Sequence, residues 1–395
     1  MNQENFVIVE ERGHAGLITL NRPKALNALS LGMVRDITAA LLKWKVAAHI
    51  QLVAIRGMGK AVDDVTTAGV TSTTAGVSST FQPFGSFCAG GDIRFFHQAA
   101  LAGDPELEDF FTEEYSLNHL IHTYPKPYLA FMDGICMGGG MGISGHLAKN
   151  SIRIVTERTK MAMPETNIGL FPDVGGGYFL SRCMNSQPGI GEYLALTGHM
   201  LHAQDAQALG LADVCVSSES LGKIWDALPT APTADTALQN HITINSIALR
   251  ADSMPAIQQN SSKISTLFDQ SSIPAIMTAL HADGSDWANE TAAILRKRSP
   301  LMLAVTLELI RRARTMNLAD ELRLERDLVR HCFHTQHLQR SDKASETVEG
   351  IRALAIDKDH APKWSPAGVE DITPEMIAPF FVSPWPATAH PLRQL

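Results

Sequence analysis

The amino-acid sequence predicts an α/β core followed by a helical C-terminal region, on two observations. Up to about residue 215, a short apolar strand, a glycine turn and a helical stretch recur in that order, as layered sheet-and-helix folds require. Past the Pro-, Thr- and Ala-rich stretch 228–237, strand patterns stop and helical spacing takes over. The division expected is a core at 1–225 and a helical region at 226–395.

Residues 6–10 alternate weakly and 17–20 (LITL) are apolar and partly β-branched. The turn at 13–16 joins them as a hairpin, which Asn21-Arg22-Pro23 closes. Ser30 is a suitable N-cap for a helix in which Met33, Ile37, Ala40, Leu41 and Trp44 share a face. Residues 51–56 (QLVAIR) read as a strand ended by Gly57. The pattern then breaks. Residues 62–86 are rich in Thr, Ser, Gly and Ala and hold a near-repeat, TTAGVTS and TTAGVSS, too few copies for a solenoid. They read as a mobile surface insertion, with a lid as the functional alternative. Residues 87–94 (FCAGGDIR) form a glycine turn into a helix. Residues 127–132 (PYLAFM) are a strand followed by Gly134 and three consecutive glycines, and 152–156 (IRIVT) are another strand. In the C-terminal region, Ser299-Pro300 is a cap and first-turn pair, with Leu303, Leu307 and Ile310 on one face. Residues 316–334 read as a further helix, and the proline-rich end of the chain as mostly irregular.

The chain has 395 residues, 45% apolar and 19% charged, a globular composition with ample length for a large core. Lys and Arg number 33 against 41 Asp and Glu, a net charge of −8 that gives no general attraction to nucleic acid or an anionic membrane. Cys88, Cys136, Cys183, Cys215 and Cys332 are widely spaced, odd in number and form no CxxC pair. That speaks against a disulfide framework or a structural zinc site. The start, MNQENFVIVEERG, has acidic residues and no apolar stretch of the kind a secretory signal needs, and it is not the acid-poor type of a transit peptide. The most apolar stretch, 128–145, is interrupted by Asp133 and by glycines, so no membrane span is expected. The compartment expected is a reducing one: cytoplasmic, or the mitochondrial matrix for a eukaryotic source.

Two stretches are equipped for chemistry. Within 138–145 (GGGMGISG), residues 140–145 satisfy GxGxxG after a strand and imitate a dinucleotide fingerprint. Only about two helical turns fit before the next strand, too few for a comfortable crossover. The same glycines suit close packing of a helix on the core. They also suit a third role, in which a glycine turn into a helix leaves a backbone N–H open to a substrate oxygen. Ala89-Gly90-Gly91 offers a similar amide, so the two turns together suit an oxyanion. The second stretch, 163–177 (MPETNIGLFPDVGGG), sets Glu165 and Asp173 among apolar residues and glycines. Such a carboxylate has a raised pKa and can act as base or acid near neutrality; the plainer role is a helix cap. His331, His334 and His337 fall at i, i+3, i+6 and read as an exposed helix face rather than a metal site. Ser144 is not in a GxSxG elbow, because His146 takes the last position. Glu113-Glu114 reads as a solvated helix face.

Together, ITLNRPKALNALS (18–30), FCAGGDIR (87–94), KPYLAFMDGICMGGGMG (126–142), MAMPETNIGLFPDVGGGYFLSR (161–182) and YLALTGHMLHAQDAQALGLADVCV (193–216) resemble the crotonase (enoyl-CoA hydratase/isomerase) superfamily. IGLFPDVGGGYFL and VEGIRALAIDKDHAPKW (348–364) are similar to its 3-hydroxyisobutyryl-CoA hydrolase subgroup. The resemblance spans nearly the whole chain, apart from 62–86, which intervenes just before FCAGGD. It implies a crotonase-like spiral of ββα units with a helical C-terminal region. It also implies that the backbone amides of Gly91 and Gly139 hold a thioester carbonyl. Glu165 then acts as nucleophile or general base, Asp173 assists and Glu114 contacts the substrate. Ala89 and Asp92 lie on the substrate's side, and Lys24 and Arg22 are candidate phosphate partners of CoA. Of the two glutamates that handle water in the family's hydratases, the first would fall at Gly142, where no carboxylate stands, and the second at Glu165. The hydrolase subgroup shows the same pattern. The reaction implied is hydrolysis of a short 3-hydroxyacyl-CoA, as in valine breakdown, with no metal or redox cofactor. The alternatives are an isomerase or hydratase of the same family, and a non-catalytic scaffold. The partner implied is a small acyl-CoA, not nucleic acid or membrane; self-association stays open.

Overall fold

The computed structural model describes residues 5–62, 80–231 and 255–395. Its strands in chain order are β1 (Val7–Arg12), β2 (Ala15–Leu20), β3 (Leu52–Gly57), β4 (Ala61–Val62), β5 (Thr80–Phe81), β6 (Tyr128–Met132), β7 (Ile135–Met137), β8 (Ser151–Val155), β9 (Lys160–Ala162) and β10 (Val214–Cys215). The helices that place the site are α1 (Leu31–Val46), α2 (Ile93–Ala102), α3 (Glu106–His122), α4 (Gly139–Gly142) and α5 (Gly176–Leu180).

A six-stranded sheet runs in the order β1-β2-β3-β6-β8-β10, antiparallel at β1/β2 and parallel elsewhere. Every residue of β2 and β6 is buried, as a parallel sheet covered on both faces demands, which explains why these strands read as continuous apolar runs. On one face Leu17, Ala54, Phe131 and Ile154 pack against Ile224 and Trp225. On the other lies the main core, in which Ile37, Phe110, Leu303, Leu322 and Phe380 belong to one continuous cluster. The helical region after residue 225 therefore packs into the same core as the sheet.

A second, smaller layer explains the recurring strand–glycine–helix pattern. β7 pairs in parallel with β9, and single bridges add Cys88 to Cys136, Leu29 to Gly91 and Met161 to Leu201. Four of the six main-sheet strands thus pass into a short extended piece of the second layer and then into a helix or helical turn. β2 leads through Leu29 to α1, β3 through Cys88–Gly91 to α2, β6 through β7 to α4, and β8 through β9 to the turn Glu165–Ile168. This is the expected ββα spiral.

Local signals in the sequence account for most boundaries. Ser30 accepts the Met33 amide at the start of α1, and Ser299 accepts the Met302 amide at the start of Pro300–Ala313. The helix expected at 316–334 runs Leu318–Phe333, capped by Asn317. The insertion needs correction at its ends. β4 and β5 pair antiparallel, Gly85 N–H donates to Gly57 O at 3.1 Å, and Asn27 Nδ2 reaches Ser86 O at 2.7 Å, so 82–86 are tied to the core. The remainder, 63–79, on which mobility or a lid would rest, lies outside the described residues, as does 232–237 of the expected linker. Among the described residues no helix is long and apolar enough to cross a membrane.

Candidate active site

The turn at 88–91 is held by the Cys88 amide, which donates to Ile135 O at 3.0 Å, by the Ala89 amide, which donates to Leu26 O at 3.0 Å, and by two amides of its neighbours. Leu29 N–H donates to Gly90 O at 2.8 Å and Asp92 N–H to Leu29 O at 2.9 Å. In this parallel bridge the Gly91 amide faces the opposite way, and it donates to no group among the described residues. Gly139 is the first residue of α4, so its N–H also has no intrahelical acceptor, and it has none elsewhere among the described residues. The two turns touch: a Cβ built on Gly139 would lie 3.5 Å from Gly91 N. Gly138, at φ +49°, makes the turn into α4. Two free donors thus face one space, as the sequence led us to expect. The dinucleotide reading does not hold, because α4 spans only Gly139–Gly142 before the chain returns to β8. The close-packing reading does hold, at Gly140: a Cβ there would lie 2.3 Å from Cys88 O.

Three carboxyl groups face the same cavity of about 230 Å³, which is also lined by Ala89, Gly91, Gly139, Phe111, Leu170 and Leu354. Glu165 opens the turn after β9, Asp173 precedes α5, and Glu114 projects from α3. All three are buried, at 7%, 5% and 2% exposure. The solvated face expected for Glu113-Glu114 is therefore half wrong: Glu113 pairs with Arg35 at 2.6 Å outside, while Glu114 points inward. Among the described residues Glu114 Oε1 and Glu165 Oε2 have no hydrogen-bond partner, and Asp173 Oδ2 accepts from the Tyr115 hydroxyl at 2.8 Å. Burial pushes the Glu165 carboxyl well above the usual range, and the charge of Asp173 adds to the rise. Glu114 is raised well above it by burial and by Asp173 and Glu165. Burial pushes Asp173 up to about 6, with the Tyr115 hydroxyl acting against the rise. No Lys or Arg lines this cavity, so the acids share protons as a cluster.

Behind Asp173 stands a pair that the sequence reading passed over. Glu325 accepts the amides of Gly175 at 2.8 Å and Gly177 at 3.3 Å, and Glu321 accepts that of Tyr178 at 3.1 Å. Both glutamates are fully buried. Burial raises Glu325 well above its ordinary value and Glu321 to about 7. They fix the turn that carries Asp173. The glycine run 175–177 is their trace in the sequence, since a Cβ on Gly177 would lie 2.4 Å from Glu321 Oε1. The Glu165 turn is braced from the C-terminal side: Thr347 Oγ1 donates to Gly169 O at 2.6 Å, and Arg298 bonds Asn167.

Other candidates fall elsewhere. Asp92 does not line the cavity; it caps α2 through Phe95 N–H and binds Arg22 at 2.7 Å. Arg22 also donates to Ala28 O, so it is committed to structure. Lys24 lies in a separate surface cavity with Phe6, Asn21 and Pro23. The histidine run is not an exposed face: His331 bonds Val382 O at 2.8 Å, and His334 bridges Glu108 and Asp342. Ser144 is buried and donates to Met141 O at 2.6 Å. Among the described residues no group of three His, Cys, Asp or Glu is placed to hold a metal ion.

Position 142, where a second glutamate would stand in a hydratase, is closed. A Cβ on Gly142 would lie 2.7 Å from Val174 Cβ and 2.8 Å from Asn118 Nδ2.

Comparison with known proteins gives relatives over nearly the whole chain. The profile of the family "Enoyl-CoA hydratase/isomerase" matches residues 15–69 and 75–381. The mitochondrial 3-hydroxyisobutyryl-CoA hydrolase of Rattus norvegicus is 38% identical over 382 residues, 95% of this chain and 89% of the relative. Its Xenopus tropicalis counterpart is 39% identical over 380 residues, 95% and 88%. A solved carnitinyl-CoA dehydratase from Mycobacterium thermoresistibile superposes with a TM-score of 0.81 at 33% identity, covering 99% of each chain.

Proposed function

The chain belongs to the enoyl-CoA hydratase/isomerase family, and from that premise we propose that it hydrolyses 3-hydroxyisobutyryl-CoA to the hydroxy acid and free CoA. The observation that carries this reading is the meeting of two free amides with a buried acid cluster in one cavity while position 142 is sterically closed. The Gly91 and Gly139 amides receive the thioester oxygen and stabilise the negative charge that develops on it. Glu165 attacks the carbonyl carbon, or takes the proton of a water that does so. The C–S bond then breaks, and CoA leaves as a thiolate that needs little help from an acid. Asp173, whose charge the Tyr115 hydroxyl favours, is the cluster member most ready to ionise and to receive the water's proton. Glu114, deepest and facing both other acids, keeps its proton and offers it to the substrate's 3-hydroxyl.

A place for CoA's phosphates lies at the mouth. A second cavity of about 720 Å³ shares Asn167 and Leu354 with the first and is lined by Arg296, Lys297, Lys363 and Trp364. Cations and an indole suit a nucleotide diphosphate. Lys24, in the separate surface cavity with Arg22, is a candidate for a further phosphate contact from the N-terminal side.

The solved dehydratase keeps a second reading in view, removal or addition of water across a double bond. The closed position 142 speaks against it, because the carboxylate that the resemblance places there in a hydratase has no room, and the acids of this cavity stand at 114, 165 and 173 instead. A thiol-release assay with 3-hydroxyisobutyryl-, 3-hydroxypropionyl- and crotonyl-CoA separates these readings. We expect thiol from the first two, and hydration of crotonyl-CoA without thiol would refute the proposal. Glu165→Gln should lower kcat by roughly 10²–10⁴ while acyl-CoA still binds. Turnover near the parent's would remove Glu165 from the chemistry.

A further inference from the structure

Behind Val174, on the side away from the CoA mouth, lies a small second chamber of about 10 Å³. Four buried side-chain atoms without a hydrogen-bond partner among the described residues belong to residues that line it: Nδ2 and Oδ1 of Asn118, Nδ1 of His122 and Nε2 of His146. Asn118 is 4% exposed and His146 6%. Unpaired polar atoms are rare and costly in a protein interior, and four of them around one space mark that space as polar. Its volume matches about one water molecule, and its walls supply the two to four partners a buried water needs.

The hydrogen positions follow from the chemistry. His146 Nδ1 lies 3.2 Å from Nη1 of Arg153, which only donates, so Nδ1 is the acceptor. Burial, with Arg153 adjacent, keeps His146 neutral. The single ring proton is therefore on Nε2, which makes this unpaired atom of a chamber-lining residue a donor. Asn118 offers both a donor and an acceptor, and His122, only half-buried, connects the chamber toward solvent.

The chamber adjoins the reaction cavity. Val174 lines both, and Asn118 follows Glu114 by one helical turn on the same face of α3. Hydrolysis consumes one water per turnover, and bound acyl-CoA fills the front entrance. We propose that the Asn118–His122–His146 chamber is a water site that supplies the acid cluster from the rear during hydrolysis. The proposal rests on the hydrolase reading. The delivered oxygen bonds to the acyl carbon as its bond to sulfur, or to Glu165 in an anhydride, breaks. One water proton passes to a cluster carboxylate, and a fresh water enters past His122.

The test has two arms. A high-resolution crystal structure of the wild-type chain should show a solvent peak bonded to Asn118 and His146 Nε2; an empty or apolar chamber overturns the proposal. Asn118→Leu keeps the volume and removes both polar atoms. It should lower kcat for 3-hydroxyisobutyryl-CoA about tenfold or more and leave KM within twofold. A merely structural water would move the melting temperature and not kcat, so a folded variant with parental kcat overturns the delivery role. His146→Leu gives the same readout should Asn118→Leu fail to fold. If the wild-type chain releases no thiol, the hydrolase reading has failed, and the crystallographic arm still decides whether the site holds water.

Discussion

Replacing Glu321 by glutamine tests whether the buried pair behind Asp173 carries the strain its surroundings imply. Glu321 is fully buried, its Oε1 accepts Tyr178 N–H, and Glu325 stands beside it. Burial lifts its carboxyl from 4.5 to about 7. The folded state then holds a proton that the unfolded chain has lost between these two values, so stability falls as pH rises through that window. The contribution is fully present below pH 4.5 and gone above 7. At roughly 1.4 kcal/mol per pH unit, the ionised form costs about 3 kcal/mol at pH 8.5. Glutamine keeps an oxygen for Tyr178 N–H and cannot ionise. Urea unfolding of both chains at pH 4.5 and 8.5 measures the difference. The variant should be about as stable as the parent at the lower pH and more stable by about 3 kcal/mol at the higher. A gap that does not widen with pH would refute the argument, since removal of an ordinary hydrogen bond has no such slope.

Three further outcomes follow from the same geometry. Tyr115→Phe removes the hydroxyl that holds Asp173 down near 6, so the acid limb of kcat/KM should move to higher pH; a limb that stays in place removes Asp173 from the reaction. Gly142→Glu drives a Cβ to 2.7 Å from Val174 Cβ, so it should cost roughly 1–3 kcal/mol of stability and gain no crotonyl-CoA hydration; a stable variant that hydrates would show that the closed position is not what bars the hydratase path. Asp92→Ala loses the α2 cap at a cost of about 1 kcal/mol and should leave KM unchanged, whereas a large KM rise would return Asp92 to the substrate.

Much of the fold was legible because its signals are local. Ser30, Asn317 and Ser299 each cap the helix that follows. The glycine turns mark where main-sheet strands pass through the second layer. Glu165 and Asp173 stood out as acids in apolar sequence. What the residue pattern alone missed is tertiary, though a trace existed; Glu114 was named as a substrate contact only through the family resemblance, and Glu321 and Glu325 not at all. Glu114 shares a helical stripe with Phe110, Leu117 and Ile121, and Glu321 and Glu325 share one with Leu318, Leu322 and Leu328, all buried. An acid on an apolar stripe is a buried acid; reading 113 and 114 as a pair hid which one faced inward. Asp92 erred the other way, because a motif position says where a residue sits but not whether a cap has claimed its carboxylate.

The glycines of α4 gain their meaning from α3. A Cβ on Gly139 would lie 2.4 Å from Glu114 Oε1, on Gly142 2.8 Å from Asn118 Nδ2, and on Gly145 3.5 Å from Ile121 Cγ2. Glycines three apart on one segment thus meet residues four and three apart on the facing helix, an approach that only bare backbone permits. The lost carboxylate at 142 and the buried carboxyl at 114 are two sides of this one contact. With α4 stripped of side chains, α3 comes close enough to put its own acid beside the Gly139 amide and its own amide side chain where the missing glutamate would be. Bulk restored at 139 must displace Glu114, whereas bulk restored at 142 must displace Asn118 and press on Val174, so a carboxylate added at 142 competes with the Asn118 amide for its place.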